Sequence, residues 1–244
     1  MTAWFKGRMA GFDLETTGVD VETDRIVTAC VVQCGGGNPT QSFNWLADPG
    51  IEIPEGAAKV HGVTTERARA EGRPAAEVIE QLVAALAESV LAGLPVVAMN
   101  ASFDLTILDR EARRHGTQPL VDIVGDDLRV IDPRVLDKQV SRRKGRRTLS
   151  DLCEHYRVKL DGAHSADADA IAACRVAWRL GSTNEQLGAL SLDDLHQAQI
   201  KWAESQGRSL AAYFRRTPGK ESQADGVRTE WPFIPAQREA GEAS

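Results

Sequence analysis

An α/β fold is expected for this chain: a mixed sheet, antiparallel at its start and parallel at its end, flanked by helices and followed by a helical C-terminal extension. Three observations predict it. First, the strand-like runs Arg8 to Glu15, Arg25 to Gln33 and Gln41 to Leu46 follow one another with only turn-forming residues between them, as in an antiparallel meander. Second, from Pro74 onward helical and strand-like patterns alternate, which is how parallel strands are joined. Third, after Gly181 the apolar strand pattern stops and helical signals continue alone.

The elements justify themselves in order. Thr17-Gly18 turns the chain after the first strand, and Gly35-Gly36-Gly37-Asn38-Pro39 separates the second strand from the third. Val78, Leu82, Leu86 and Val90 then recur at four-residue steps, with Pro74 at the start and Gly93 near the end, which predicts an amphipathic helix. A short apolar strand from Pro95 to Met99 leads into a helix from about Phe103 to His115, and Leu128 to Ile131 reads as a further strand before Asp132-Pro133. Helices from about Thr148 to Tyr156 and Ser165 to Leu180 complete a domain over residues 1–181. In the extension, 182–244, Ser191 is an N-cap with Asp193 and Asp194 in the first turn of a helix to about Ser205, and Arg208 to Arg216 is expected as a second helix. From Thr217 a loosely held tail is expected, with Trp231-Pro232-Phe233-Ile234 apolar enough to dock on its own domain or on a partner.

Composition narrows the function. With 244 residues and 42% hydrophobic side chains the chain can bury a real core, which excludes a disordered or fibrous protein. Cys30, Cys34, Cys153 and Cys174 form no C-x-x-C pair and are expected as free thiols of a reducing compartment. The N-terminal segment turns polar too early for a signal peptide, and no apolar run approaches the roughly 18 residues that span a bilayer, so no membrane association and a cytoplasmic location are expected. A net charge of −6 argues against a protein that coats nucleic acid by charge alone, but carboxylates neutralised by divalent cations would be counted in it. Lys138, Arg142, Arg143, Lys144, Arg146 and Arg147 fall close together, either as a solvated loop or as a patch that steers phosphates.

Three acidic segments carry the chemistry. Asp13 and Glu15, two apart on the first strand, leave the same face, where mutual repulsion and desolvation are costly unless a cation lies between them; paired acids on an exposed edge strand are the plain alternative. Asp104 follows Asn100-Ala101-Ser102-Phe103 where a strand passes into a helix, a place at which Ser102 or Asp104 could simply cap the helix. Asp169 lies in an alanine-rich helix after His164, and those small residues let the helix approach the sheet closely. Asp167 competes with it, but at about 100° per residue the two cannot face one site.

Taken in order, D-x-E, N-x-x-F-D and H-x-A-x-x-D resemble the motifs of the DEDD (DnaQ-like) exonuclease superfamily, in the branch with histidine in the third motif whose best-known member is the proofreading epsilon subunit of bacterial DNA polymerase III. The likeness covers about residues 8–180; Asp13-Leu14-Glu15-Thr16-Thr17-Gly18, His61-Gly62-Val63-Thr64 and Arg147-Thr148-Leu149-Ser150-Asp151-Leu152 extend it, and no tyrosine stands four residues before Asp169, as the sister branch requires. The resemblance implies a ribonuclease H-like sheet and a 3′-to-5′ exonuclease using two Mg²⁺ or Mn²⁺ ions. It further implies Asp13 as the ligand shared by both ions, Glu15 and Asp169 at the ion carrying the attacking water, Asp104 at the second, and His164 as general base. Thr16 and Thr17 would grip the terminal 3′ hydroxyl, and His61, Asn100 and Phe103 would line the terminal nucleotide. The implied partner is nucleic acid, DNA before RNA, with a DNA polymerase docked through the C-terminal tail in a proofreading or repair setting. Two readings compete: an RNA-trimming enzyme with the same ligands, and a non-catalytic nucleic-acid-binding module, which should lack one of them. A phosphatase with an aspartyl nucleophile would need an Asp where this chain has Glu15.

Overall fold

A computed structural model describes residues 3–160 and 165–236. Its sheet comprises β1 (Arg8–Thr16), β2 (Ile26–Gly35), β3 (Gln41–Asp48), β4 (Arg73–Pro74), β5 (Val96–Val97) and β6 (Val130–Ile131), in the order β4-β3-β2-β1-β5-β6. The pairs β1–β2 and β2–β3 are antiparallel, whereas β1–β5 and β5–β6 are parallel, so the mixed sheet expected from the sequence is present. β4 adds a short strand parallel to β3 at the far edge.

Ten helices lie among the described residues: α1 (Glu55–His61), α2 (Thr65–Glu71), α3 (Ala75–Leu91), α4 (Ala101–His115), α5 (Leu120–Val124), α6 (Pro133–Val140), α7 (Leu149–Tyr156), α8 (Ala166–Thr183), α9 (Glu185–Gly188) and α10 (Leu192–Arg216). α3 buries Val78, Ile79, Leu82, Val83, Leu86 and Val90, the face its periodicity predicts. The helices α1, α2, α5, α6 and α9 were not expected. For α6 the cue was present: Asp132 caps it by accepting the N–H groups of Arg134 and Val135, and Pro133 fills a first-turn position that needs no donor.

The pleat of β1 sorts its side chains. Phe12 and Leu14 enter the core shared with α3 and α4, while Met9 packs on the opposite face with α8. On that second face Gly11 is required: a Cβ there would stand 2.8 Å from the Ala170 carbonyl oxygen and 2.8 Å from Cys174 Sγ. The helix therefore lies directly on the strand, as the small residues around Asp169 suggested.

The extension departs from expectation in its helix and meets it in its docking segment. α10 is one continuous helix and does not break near Ser205. Its Gly207 is a packing position, because a Cβ there would meet the Arg228 carbonyl oxygen at 2.7 Å. Beyond it the expected docking segment seats on its own domain, where Trp231 is buried in the main core with its ring 5.2 Å from that of His196. The Ile234 N–H donates to Thr106 Oγ1 at 2.9 Å, and Arg110 donates to the Ile234 carbonyl at 2.9 Å, so this segment docks on its own chain.

α10 also closes an open sheet edge. His196 Nδ1 accepts the Val130 N–H, Gln199 Oε1 accepts the Asp132 N–H at 2.8 Å, and Gln199 Nε2 donates to the Val130 carbonyl at 2.9 Å. Two side chains thus stand in for a seventh strand beside β6. All four cysteines are unpaired thiols, and no helix among the described residues is long and apolar enough to cross a membrane.

Candidate active site

The acids of β1 and α8 converge. One carboxylate oxygen from each of Asp13, Glu15 and Asp169 lies within 4.8 Å of the other two. Asp104 joins them from the first turn of α4, where it is buried. β5 pairs with β1 only at Ala10 and Gly11, and beyond that short pairing the Asp104 carboxylate takes the Leu14 N–H. Asp167 is not a member of this group, although its charge and that of Asp13 both act on Cys30 of β2.

Electrostatics show what this arrangement lacks. Asp13 is packed about on nearly all sides while part of its side chain still reaches solvent; burial, then Asp104, Asp169 and Glu15, hold its pKa well above the usual carboxylate range. Burial and then Asp169 push Glu15 up to about 7. Asp104 is raised chiefly by burial, against its own N–H and that of Leu14. Acids that force protons onto one another are short of positive charge, and a cluster of oxygen donors alone suits a hard divalent cation better than zinc or copper.

The other expected residues surround this cluster. Thr16 Oγ1 donates to the Gly18 carbonyl at 2.6 Å, and the Thr17 hydroxyl donates to Asp24 at 2.7 Å while accepting the Arg25 N–H. Both hydroxyls thus build the turn after β1. His61, at the end of α1, accepts the Val63 N–H on Nδ1 and encloses Nε2 without a hydrogen-bond partner; burial lowers its pKa, partly offset by the backbone at Thr16. Asn100 takes a left-handed conformation with φ of 68°, donates its N–H to Asp132 and accepts from Arg134 Nη1 at 2.5 Å. Phe103 is partly buried against the main core. His164 lies outside the described residues.

Two residues that hold this site were not singled out in the sequence, Asp132 and Arg134. Asp132 is buried and accepts the N–H groups of Asn100, Ala101 and Arg134, so a single carboxylate ties the starts of α4 and α6 together. The basic cluster divides. Asp137, fully buried, receives Arg147 at 2.6 Å, Arg143 at 3.3 Å and the Tyr156 hydroxyl at 2.7 Å, whereas Arg142, Lys144 and Arg146 are exposed.

A mixed sheet whose central strand carries two of four neighbouring acids defines an α/β domain with a candidate site for divalent cations. A family model described as exonuclease, RNase_T, matches residues 10–177, more than half of the chain, and the chain belongs to that family. The PolC-type DNA polymerase III of Lacticaseibacillus paracasei is 29% identical over 169 residues, covering 69% of this chain and 11% of the polymerase. That of Streptococcus mutans is 26% identical over 190 residues, covering 76% of this chain and 12% of the polymerase. The chain therefore spans only about a tenth of the length of these curated relatives. Among solved structures, E. coli exonuclease I in complex with a dT13 oligonucleotide shares the fold, with a TM-score of 0.61 at 18% identity over 74% of this chain and 42% of that one.

Proposed function

We propose that this chain is a metal-dependent 3′-to-5′ exonuclease that releases nucleoside monophosphates from the 3′ end of a DNA strand. The observation that carries the reading is the convergence of Asp13, Glu15 and Asp169, with Asp104 beside them, in a setting that raises the proton affinity of Asp13, Glu15 and Asp104. These four carboxylates would hold two ions, Mg²⁺ or Mn²⁺. When bound, such ions neutralise charge at the scissile phosphate and acidify the attacking water.

The chain's own groups do the rest. Asp13, which feels all three other acids, would give up its proton where a cation is held, and Glu15, at about 7, would do so near neutral pH. His164 would take the proton of the attacking water, a task that suits a side chain with an unperturbed pKa of about 6.5. The backbone at Thr16 and Thr17, with His61, Asn100 and Phe103, would seat the terminal nucleotide. DNA is favoured because the relatives are DNA polymerases and the neighbouring structure holds a dT13 oligonucleotide, which also supports a proofreading or repair role beside a polymerase.

The test is release of mononucleotides from 3′-labelled single-stranded DNA, a mismatched primer terminus and short RNA, with Mg²⁺, Mn²⁺ or EDTA. Asp13→Ala is expected to abolish release and His164→Ala to slow it by orders of magnitude at neutral pH. Turnover by both variants equal to that of the unaltered chain ends the assignment, and faster release from RNA transfers it to the exoribonuclease reading.

A further inference from the structure

A cavity of about 550 Å³ opens beside the start of α4, and none of the four acids lines it. One wall belongs to the region matched by the family: the loop Val19–Val21 after β1, Asn100 and Phe103 at the start of α4, and Arg134 and Lys138 one turn apart on α6. The opposite wall lies wholly beyond residue 177, where the family match ends, and is made by α10 with the segment 226–231. That wall is built in. Gly207 lets the chain at Arg228 press onto α10, Trp231 anchors it in the core, and Ile234 is tied to Thr106 and Arg110 on α4.

The cavity's charges point to its ligand. Arg134, Lys138 and Arg228 face it, together with Asp20, Asp132 and Glu230. Asp132 accepts backbone N–H groups, Glu230 accepts the Thr229 N–H, and Asp20 accepts the Glu22 N–H and feels the charge of Arg228, while Arg134 donates one of its N–H groups to Asn100. Arg134 and Lys138 form a like-charged i, i+4 pair on α6. Lys138 is partly buried, and burial, followed by Arg134 and Arg147, lowers its pKa against the smaller opposing effect of Asp132, so a phosphate would relieve it. A volume of this size falls within the roughly 300–1,000 Å³ of small-ligand sites, room for one or two nucleotides of a single strand and too little for a duplex.

We propose that this cleft, closed by the C-terminal extension, is a strand-binding subsite that takes the phosphodiester backbone upstream of the terminal nucleotide on Arg134, Lys138 and Arg228. It rests on the exonuclease reading and adds to it a reason for the extension: single strands thread between α6 and the 226–231 segment, and paired ends do not.

The experiment compares two substrates with the full chain, a 12-nucleotide oligothymidylate and the p-nitrophenyl ester of thymidine 5′-monophosphate, which reaches no further than the terminal site. In the Lys138→Ala, Arg228→Ala double variant, kcat/KM for the strand relative to that for the ester should fall about tenfold. Anisotropy of the labelled strand in EDTA should show weaker binding, with a salt dependence shallower by roughly 0.7 per lost phosphate contact. The Lys201→Ala, Arg208→Ala double variant, an equal charge change at exposed positions of α10, should leave the ratio where it was. An unchanged ratio and salt slope in the double variant, with both substrates still turned over, overturns the subsite alone. An unaltered chain inert toward both substrates with Mg²⁺ and Mn²⁺ overturns the exonuclease reading and the subsite with it.

Discussion

Replacing Asp13 by Asn should make the metal-free protein more stable while removing its activity. Asp13 stands within 4.8 Å of carboxylate oxygens of both Glu15 and Asp169, with Asp104 raising its pKa further. At that separation and an effective dielectric constant near 20, each fully charged pair repels by about 3.5 kcal/mol. The molecule does not bear the whole of this, because protons bound to the cluster relieve most of it, and what remains is the work of holding those protons at alkaline pH. A net gain of about 1–3 kcal/mol for the Asn variant follows, and at roughly 2–4 °C per kcal/mol for a chain of this size Tm should rise by several degrees. The assay is thermal unfolding in EDTA at pH 8 and at pH 5.5. The gain should shrink at the lower pH, where the acids of the unaltered chain are protonated, and added Mg²⁺ should raise Tm of the unaltered chain more than that of the variant. An Asn variant less stable than the parent at pH 8, or equally stabilised at both values, would refute the reasoning.

Three further outcomes are expected. Glu15 has its pKa raised from 4.5 to about 7, so the stability its proton contributes is full below 4.5 and is lost as pH climbs through 7; the Tm increment from Mg²⁺ should therefore be larger at pH 8 than at pH 5.5, and an increment independent of pH would contradict this. Asp137→Ala strands two partly buried arginines and Tyr156, and should cost about 3–5 kcal/mol in urea unfolding, against little change if those contacts are superficial. Gln199→Leu orphans the Asp132 N–H and the Val130 carbonyl, at about 1–3 kcal/mol each, and should lower kcat for mononucleotide release as well as stability; a loss of stability with kcat intact would show that the site does not depend on this contact.

What was legible in the sequence is what is encoded locally. The alternation along β1, the four-residue spacing of α3 and the alanines flanking Asp169 each report on one element and its buried face, and each reads correctly without a partner. The acidic convergence was legible only as an ordered set of motifs, since nothing within Asp104's own helix says that its carboxylate will take the Leu14 N–H. The short helices escaped because their cues are weak or shared. Asp132-Pro133 ends a strand as readily as it caps a helix, and α1 buries no residue that could have revealed a periodic face. The break expected between Ser205 and Arg208 has the same root: Gly207 lies there with a poor helix propensity, and only the later chain at Arg228 explains its place in α10. Charge was equally ambiguous, for nothing near Asp137 in sequence says that it will bury its carboxylate against Arg143 and Arg147 and withdraw them from solvent, while Lys138, the next residue, faces the cleft.

The extension and the acids are joined through one buried carboxylate. Gln199 of α10 fixes the Asp132 N–H; the Asp132 side chain holds the first N–H groups of α4; and α4 presents Asp104 to β1. β5 and β6 are only two residues long, so the sheet alone gives this side of the site few backbone hydrogen bonds to stand on. Side chains from α10 supply the missing ones, and the segment after α10 returns to α4 through Ile234. The same stretch of chain that walls the cleft therefore also steadies the carboxylate nearest to it. A truncation before α10 would expose the edge of β6 and loosen Asp132 together, which makes point substitutions in the cleft, and not removal of the extension, the means of separating strand binding from catalytic geometry.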